Sequence, residues 1–130
     1  MKTPLHSPFK STGGLGRIWR AWRYSMQGLC AAFKYESAFR QETALVVVLV
    51  PVAFWLGRDR NEVLFLLFSM LLVLVVELLN SAVEALADAL SVEIHPLLGR
   101  AKDLGSAAVM LTLLFSLGLW LNIVFERFVR

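Results

Sequence analysis

Long blocks of apolar residues, separated by short polar segments, dominate the chain after its first third. The blocks are TALVVVLVPVAFWL (43–56), residues 63–76 and residues 107–125, and the last carries no charged residue. A helix needs about 20 mostly apolar residues to span the hydrocarbon layer of a bilayer. The first block reaches that length only when its helix is extended back towards residue 37. The pattern predicts three transmembrane helices, at about 37–57, 62–90 and 104–126.

A different pattern precedes these blocks, in LGRIWRAWRYSMQGLCAAFK (15–34). Its apolar residues recur at helical spacing, with three arginines interspersed. Tryptophan and arginine together on an amphipathic helix are typical of a helix that lies in the headgroup layer. We therefore predict a surface helix at about 15–35. Residues 1–13 hold two prolines and several Ser and Thr residues, which predicts a flexible leader.

Composition supports the membrane interpretation. Hydrophobic residues make up 58% of the 130 residues, and the mean hydropathy is +0.66. A soluble chain of this size buries too little of its surface to hide so much apolar area. The expected fold is an all-α membrane protein with a single domain at 14–130, built from the surface helix and three transmembrane helices. Cys30 is the only cysteine, so no disulfide forms within one chain.

The basic residues are distributed unequally between the two sides of the predicted bundle. Nine of the 13 lysines and arginines lie in the leader, the surface helix, the start of the first span and the 91–106 segment. The 57–61 turn and the C-terminal tail carry the other four. Because basic residues are retained on the cytoplasmic side, this bias predicts a cytoplasmic N-terminus.

A polar stripe lies near the end of the second span, in ELLNSAVEALAD (77–88). At about 100° per residue, its polar residues fall on one side of a helix. They are Glu77, Asn80, Ser81, Glu84 and Asp88. A charge in a membrane segment costs at least about 2.5–3.5 kcal/mol, which favours a functional site. The alternative is a stripe that joins helices by hydrogen bonds, but three carboxylates would need protonation or cations to do so.

Two further clusters lie at the same predicted boundary. Glu36 and Arg40 are four residues apart, so they form an ion pair or, alternatively, Glu36 joins Glu84 in holding a divalent cation. The segment GRAKDLGS (99–106) would supply Arg100 and Lys102 to neutralise phosphate. A basic loop beside a membrane is ordinarily an orientation signal, but next to carboxylates it indicates an anion site. Since the chain has no P-loop and no kinase-type glycine loop, a nucleotide site must be built from helices and a metal.

Three motifs together are specific: ESAFRQE (36–42), VELLNSAVEALAD (76–88) and EIHPLLGRAKDLGSAAV (93–109). On these residues the chain resembles the prokaryotic diacylglycerol kinase family, over about residues 15–125. The resemblance implies a homotrimer in the bacterial inner membrane, with active sites between subunits. It also implies transfer of the γ-phosphate of MgATP to diacylglycerol, giving phosphatidic acid.

The resemblance implies a role for each matching residue. Glu77 corresponds to the general base on the lipid hydroxyl, with Asn80 beside it, and Glu36 and Glu84 correspond to the magnesium-binding pair. The ATP-contacting positions correspond to Arg17, Tyr24, Glu36, Glu84, Glu93, His95, Lys102 and Asp103. The positions that contact the lipid substrate correspond to Glu77, Arg40, Trp55 and Ser106.

Other functions are compatible with parts of the pattern. An undecaprenol kinase of the same superfamily would share all three motifs. A small proton-coupled transporter would use Glu77 or Glu84 as its relay, but here the acids cluster at one boundary with basic partners. A purely structural membrane subunit would not need buried carboxylates. No nucleic-acid partner is predicted.

Overall fold

The computed structural model describes residues 14–90 and 95–129, and within these ranges the chain is helical without any strand. The helices are α1 (Leu15–Tyr35), α2 (Ser37–Leu56), α3 (Arg60–Leu90) and α4 (Pro96–Phe128). Three of them, α2, α3 and α4, are long and apolar enough to cross a membrane. The predicted all-α membrane fold is confirmed. The predicted leader (1–13) and Glu93 lie outside the described residues.

The fourth helix begins well before its predicted start at about 104. It starts at Pro96, and the His95 Nδ1 atom accepts a hydrogen bond from the Leu97 N–H at 3.3 Å. Proline is favoured in the first turn of a helix because the ring presets φ and the missing N–H has no partner there. The expected 91–106 loop is therefore wrong from Pro96 onwards, and Arg100, Lys102 and Asp103 are presented from a helix.

Glu36 forms the corner between α1 and α2. Its backbone is extended, with φ −100° and ψ 112°, and its N–H donates to the Ala32 carbonyl at 2.9 Å. The Arg40 Nη1 atom donates to the Phe33 and Lys34 carbonyls at 3.1 and 3.2 Å. These carbonyls lack partners inside α1, so Arg40 caps the helix and fixes the corner.

The α2–α3 connection is a short capped turn. Asp59 Oδ1 accepts hydrogen bonds from the N–H groups of Asn61 and Glu62 at 2.7 and 3.0 Å, which satisfies the first turn of α3. A Cβ at Gly57 would stand 2.5 Å from Val63 Cγ2, so the turn requires glycine there. We call this end of the bundle the turn end, and the end that holds α1 and the start of α4 the α1 end.

The core lies between α2, α3 and α4, with α3 in the middle. The buried residues Ala53, Leu56, Leu66, Met70 and Ile123 form one apolar cluster towards the turn end. Beside it, the Ser116 and Ser69 hydroxyls hydrogen-bond at 3.1 Å and join α3 to α4. The packing of α3 against both neighbours fixes which side of α3 faces the protein, and the polar stripe continues along the same helix.

Candidate active site at the α1 end

Acidic side chains converge at the α1 end of the bundle. Glu77 on α3 is only 5% exposed although it carries a carboxyl group. It is close enough to Glu84, two turns further along α3, and to Glu36 at the α1–α2 corner for mutual electrostatic repulsion. Glu42 on α2 repels Glu77 in the same way. Three carboxyl groups, from two helices and a corner, therefore lie near that of Glu77.

Asn80 lies between Glu77 and Glu84 on α3. Its Nδ2 atom donates to Glu84 Oε1 at 3.1 Å, so the amide orients one carboxylate of the cluster. Its Oδ1 atom is buried and has no hydrogen-bond partner among the described residues. On the other side Asn80 meets α4 at Gly105, where a Cβ would overlap Oδ1. The amide is thus enclosed between two helices.

Two polar residues at this end did not figure among the predicted site residues. Glu42 has a buried Oε2 atom with no partner in the described part of the chain. Ser81 is 8% exposed, and its buried Oγ atom is likewise without a partner. Glu42 lies just before the apolar block at 43–56, where residue type alone does not distinguish a site carboxylate from a boundary residue. Ser81 belongs to the polar stripe, but no separate role is predicted for it from the sequence.

Lys102 lies at the edge of the acidic cluster. Its Nζ atom forms an ion pair with Asp88 Oδ1 at 3.0 Å, linking α4 to α3, and it also interacts with the Glu84 carboxylate. The Lys102 and Asp88 side chains are 41% and 71% exposed, and ion pairs in water contribute little to stability. An incoming phosphate would therefore compete well with Asp88 for the ammonium group.

The other predicted nucleotide contacts are divided between α4 and α1. His95 accepts a hydrogen bond at Nδ1, so its neutral ring carries the proton on Nε2 and presents a donor there. Asp103 is exposed on α4. On α1, Arg17 and Tyr24 are also exposed, and the axial rise puts them about 28 and 18 Å from Glu36 along the helix. The fold of one chain does not bring these two residues to the acidic cluster.

The predicted lipid contacts fall at different depths. Ser106 follows Gly105 on α4, at the level of Asn80. Arg40 is near Glu36 but is engaged in capping α1. Trp55 lies at the turn end, where its ring is 6.0 Å from the Phe128 ring, about 28 Å along the α2 axis from the corner. The structure therefore separates Trp55 from Glu77.

A groove of about 700 Å³ runs between α1 and α3 beside the cluster. Its walls are mainly small or apolar, and Glu36 and Ser81 supply polar groups. The small residues include Gly28, Ala32, Ala82 and Ala85. A space of this size and polarity suits an acyl chain.

The acidic side chains fit a magnesium ion that completes its coordination with other ligands. In the described ranges, no three His, Cys, Asp or Glu side chains form a metal-binding group. Magnesium uses one or two carboxylates together with water and substrate phosphates, and it needs no full protein cage. Glu36 and Glu84 each lie close enough to Glu77 for electrostatic repulsion, so carboxylates of the type that requirement names are present at this end.

Comparison with known proteins gives a consistent match. A family model described as prokaryotic diacylglycerol kinase matches residues 23–124. A diacylglycerol kinase of Pseudomonas aeruginosa is 50% identical over 118 residues, covering 91% of this chain and 96% of the relative. The Haemophilus influenzae protein of that name is 46% identical over 88% of this chain and 97% of its own length. The diacylglycerol kinase of Escherichia coli K12 is 43% identical over 91% of this chain and 97% of its own length.

The matched region takes in the α1–α2 corner, the polar stripe of α3 and the start of α4, which are the parts that build the acidic cluster. The identities extend over nearly the whole of this chain and of each relative. The chain therefore belongs to the prokaryotic diacylglycerol kinase family.

Proposed function

We propose that this protein transfers the terminal phosphate of ATP to the free hydroxyl of diacylglycerol, giving phosphatidic acid and ADP. The observation that carries the proposal is the buried Glu77 carboxyl group, 5% exposed, beside further carboxylates and an apolar groove. A lipid substrate needs the groove, and phosphoryl transfer needs charge neutralisation and positioning. Family membership supports the same reaction.

Glu77 is the proposed general base. Its burial keeps bulk water away from the carboxyl group, which supports a role as a base towards a lipid hydroxyl. It would accept the hydroxyl proton as the oxygen attacks the phosphorus atom. Asn80, one turn further on, would keep the neighbouring Glu84 directed towards the nucleotide.

Glu36 and Glu84 are the proposed magnesium ligands. When bound, magnesium neutralises the charge that develops on the β- and γ-phosphates. The capped corner fixes the backbone of Glu36 and Asn80 orients the Glu84 carboxylate, which supports a site arranged before the nucleotide arrives. Positioning of this kind lowers the entropic cost of assembling the reacting groups.

The proposed nucleotide contacts surround this pair. Lys102 would exchange Asp88 for a phosphate oxygen, and the Nε2–H of His95 would donate to the nucleotide. Asp103, Glu93, Arg17 and Tyr24 are the remaining proposed contacts. The first two would supply acceptors to ribose or base hydrogens, and the two α1 residues would bind from the surface helix.

The proposed assembly is a homotrimer with active sites between subunits, in the bacterial inner membrane with the N-terminus in the cytoplasm. The distance of Arg17 and Tyr24 from Glu36 along α1 supports a site that uses α1 of a second copy. The apolar window of α4 is only 6% buried, which leaves ample surface for a neighbouring subunit. The bias of basic residues towards the α1 end supports the orientation, and ATP is available on that side.

The lipid would bind with its hydroxyl at Glu77 and Ser106 and its acyl chains along the bundle. Trp55, at the turn end, would then contact the ends of the acyl chains and not the reacting group. Arg40 is placed to contact the head of the lipid only from its capping position.

The direct test is lipid phosphorylation by purified protein in nanodiscs. We expect label from [γ-³²P]ATP to enter phosphatidic acid when dioleoylglycerol is supplied with Mg²⁺. Undecaprenol is offered in a parallel reaction. Label in undecaprenyl phosphate alone would contradict the proposed substrate, and proton flux in vesicles without any ATP-dependent labelling would contradict a kinase function.

A further inference from the structure

We propose that Gly105 is a positioning residue for the phosphoryl-transfer site. The absence of a side chain at Gly105 allows the Asn80 amide to lie against α4, and from there the amide holds Glu84. The inference rests on the proposed role of Glu84 as a magnesium ligand. Gly105 touches neither substrate nor metal in this scheme, and it acts through Asn80.

The contact between α3 and α4 at this point is selective for the side chain of Asn80. A Cβ at Gly105 would overlap Asn80 Oδ1 and stand 3.3 Å from Cγ, but it would stand 3.8 Å from Asn80 Cα. The last distance is ordinary van der Waals contact, so the two backbones would accommodate a methyl group. The Asn80 amide would not accommodate the methyl group and would have to rotate away from α4.

Rotation of the amide would cost the hydrogen bond to Glu84. Nδ2 and Oδ1 belong to one planar group, so a rotation that carries Oδ1 away from α4 also moves Nδ2, which donates to Glu84 Oε1 at 3.1 Å. Oδ1 is buried without a hydrogen-bond partner in the described residues, so no hydrogen bond of its own would resist its displacement. The glycine therefore permits the Asn80 rotamer from which the amide directs a proposed metal ligand.

The helix itself does not need glycine at this position. Gly105 lies inside α4, where alanine is the better helix former, and its φ is not positive. Gly118 offers a matched control on the same helix, because a Cβ there would meet nothing within 4 Å. The same exchange at the two positions thus separates the effect of a methyl group on α4 from its effect on Asn80.

The test compares Gly105→Ala with Gly118→Ala in nanodiscs. We expect Gly105→Ala to raise the Mg²⁺ concentration for half-maximal activity roughly 10–100-fold, the usual effect of losing a group that orients a metal ligand. The KM for diacylglycerol and the melting temperature should stay close to those of Gly118→Ala. As a binding readout, electron paramagnetic resonance titration of Mn²⁺ with a non-hydrolysable ATP analogue should show a matching loss of affinity. Equal behaviour of the two variants would overturn the proposal.

A double-mutant cycle with Asn80→Ala tests the route through Asn80. In that background we expect Gly105→Ala to change the Mg²⁺ requirement less than about twofold, since the amide is already gone. Full additivity would overturn the proposal. If Gly105→Ala alone does not fold, the double variant decides: its folding supports the contact with Asn80, and its failure would mean that Gly105 serves backbone packing.

A separate variant, Glu84→Gln, distinguishes failure of this inference from failure of the proposed function. An unchanged Mn²⁺ affinity in Glu84→Gln would remove the metal assignment on which the inference rests. Weakened Mn²⁺ binding in Glu84→Gln together with normal Mn²⁺ binding in Gly105→Ala would contradict only the proposed role of Gly105.

Discussion

At the turn end of the bundle the Arg58 guanidinium lies between carboxylates, whereas at the α1 end the Glu77 carboxyl lies among other carboxyl groups. Arg58 Nη2 is 2.9 Å from Glu62 Oε1 and 3.0 Å from Glu126 Oε2, and its pKa is raised by these hydrogen bonds, chiefly the one to Glu62. Glu77 has like-charged neighbours instead. Paired charges at the turn end tie α3 to α4, whereas like-charged carboxyl groups near Glu77 form the proposed cation site at the α1 end.

Glu77→Gln should have the largest effect at the α1 end. We expect turnover to fall about 10²–10⁴-fold, because a general base contributes that much and glutamine cannot accept the proton. The melting temperature should not fall, since a buried carboxyl among like charges is removed. Asp88→Asn, the same exchange at an exposed position of α3, is the control and should keep its turnover. Near-normal turnover of Glu77→Gln would make the assignment wrong.

Lys102→Met should have the next largest effect. We expect the KM for ATP to rise roughly tenfold to a hundredfold, since a charged hydrogen bond to phosphate is lost. Asp88→Asn frees the ammonium group, so its KM for ATP should stay the same or fall. Initial rates at varied ATP provide the measurement. A rise in the KM of both variants would mean that the ion pair itself matters and not the lysine.

Arg40→Lys should have a smaller effect, which distinguishes a role of Arg40 in positioning the α1–α2 corner from the predicted lipid contact. The lysine side chain is one bond shorter than that of arginine, so its ammonium group should not reach both carbonyls as Arg40 Nη1 does. We therefore expect the α1–α2 corner to loosen and Glu36 to shift. We expect the Mg²⁺ requirement to rise a few-fold at an unchanged KM for diacylglycerol. Arg20→Lys, on α1, is the control. A changed KM for diacylglycerol alone would favour the predicted lipid contact over the positioning role.

Arg58→Met should leave the chemistry intact and affect stability only. The α2–α3 turn and the end of α4 lose their shared donor, so we expect a lower melting temperature and an unchanged turnover of the folded enzyme. Arg60→Met removes an exposed arginine from the same turn and should melt like the parent protein. A loss of turnover in Arg58→Met would contradict the separation between the two ends.

Hydropathy predicts α2, α3 and α4 because lipid-facing and buried positions are both apolar in a membrane helix. Glu77 and Glu84 could be predicted as site residues because a carboxylate is conspicuous within an apolar block. Hydropathy placed the start of α4 too late, because a membrane helix that continues into the polar boundary loses its apolar pattern there. Pro96 and the capping His95 were the local signals for the true start.

The sequence does not contain the contacts that depend on how helices cross. Nothing in the pattern indicates that Asn80 meets Gly105, or that Arg40 turns back to the carbonyls of α1. Glu42 was missed because it lies near the start of its span, where a charge looks like a boundary residue. Distances between helices, and not residue types, decide these three cases.

The Ser69–Ser116 hydrogen bond and the Asn80–Gly105 contact have the same spacing on both helices. Ser69 and Asn80 are eleven residues apart on α3, as are Gly105 and Ser116 on α4. Eleven residues make about three turns, so both contacts lie on one face of each helix. The antiparallel register of α3 and α4 is therefore fixed at two points. One residue inserted between them in α4 would rotate Gly105 by about 100° away from Asn80 while Ser116 kept its partner.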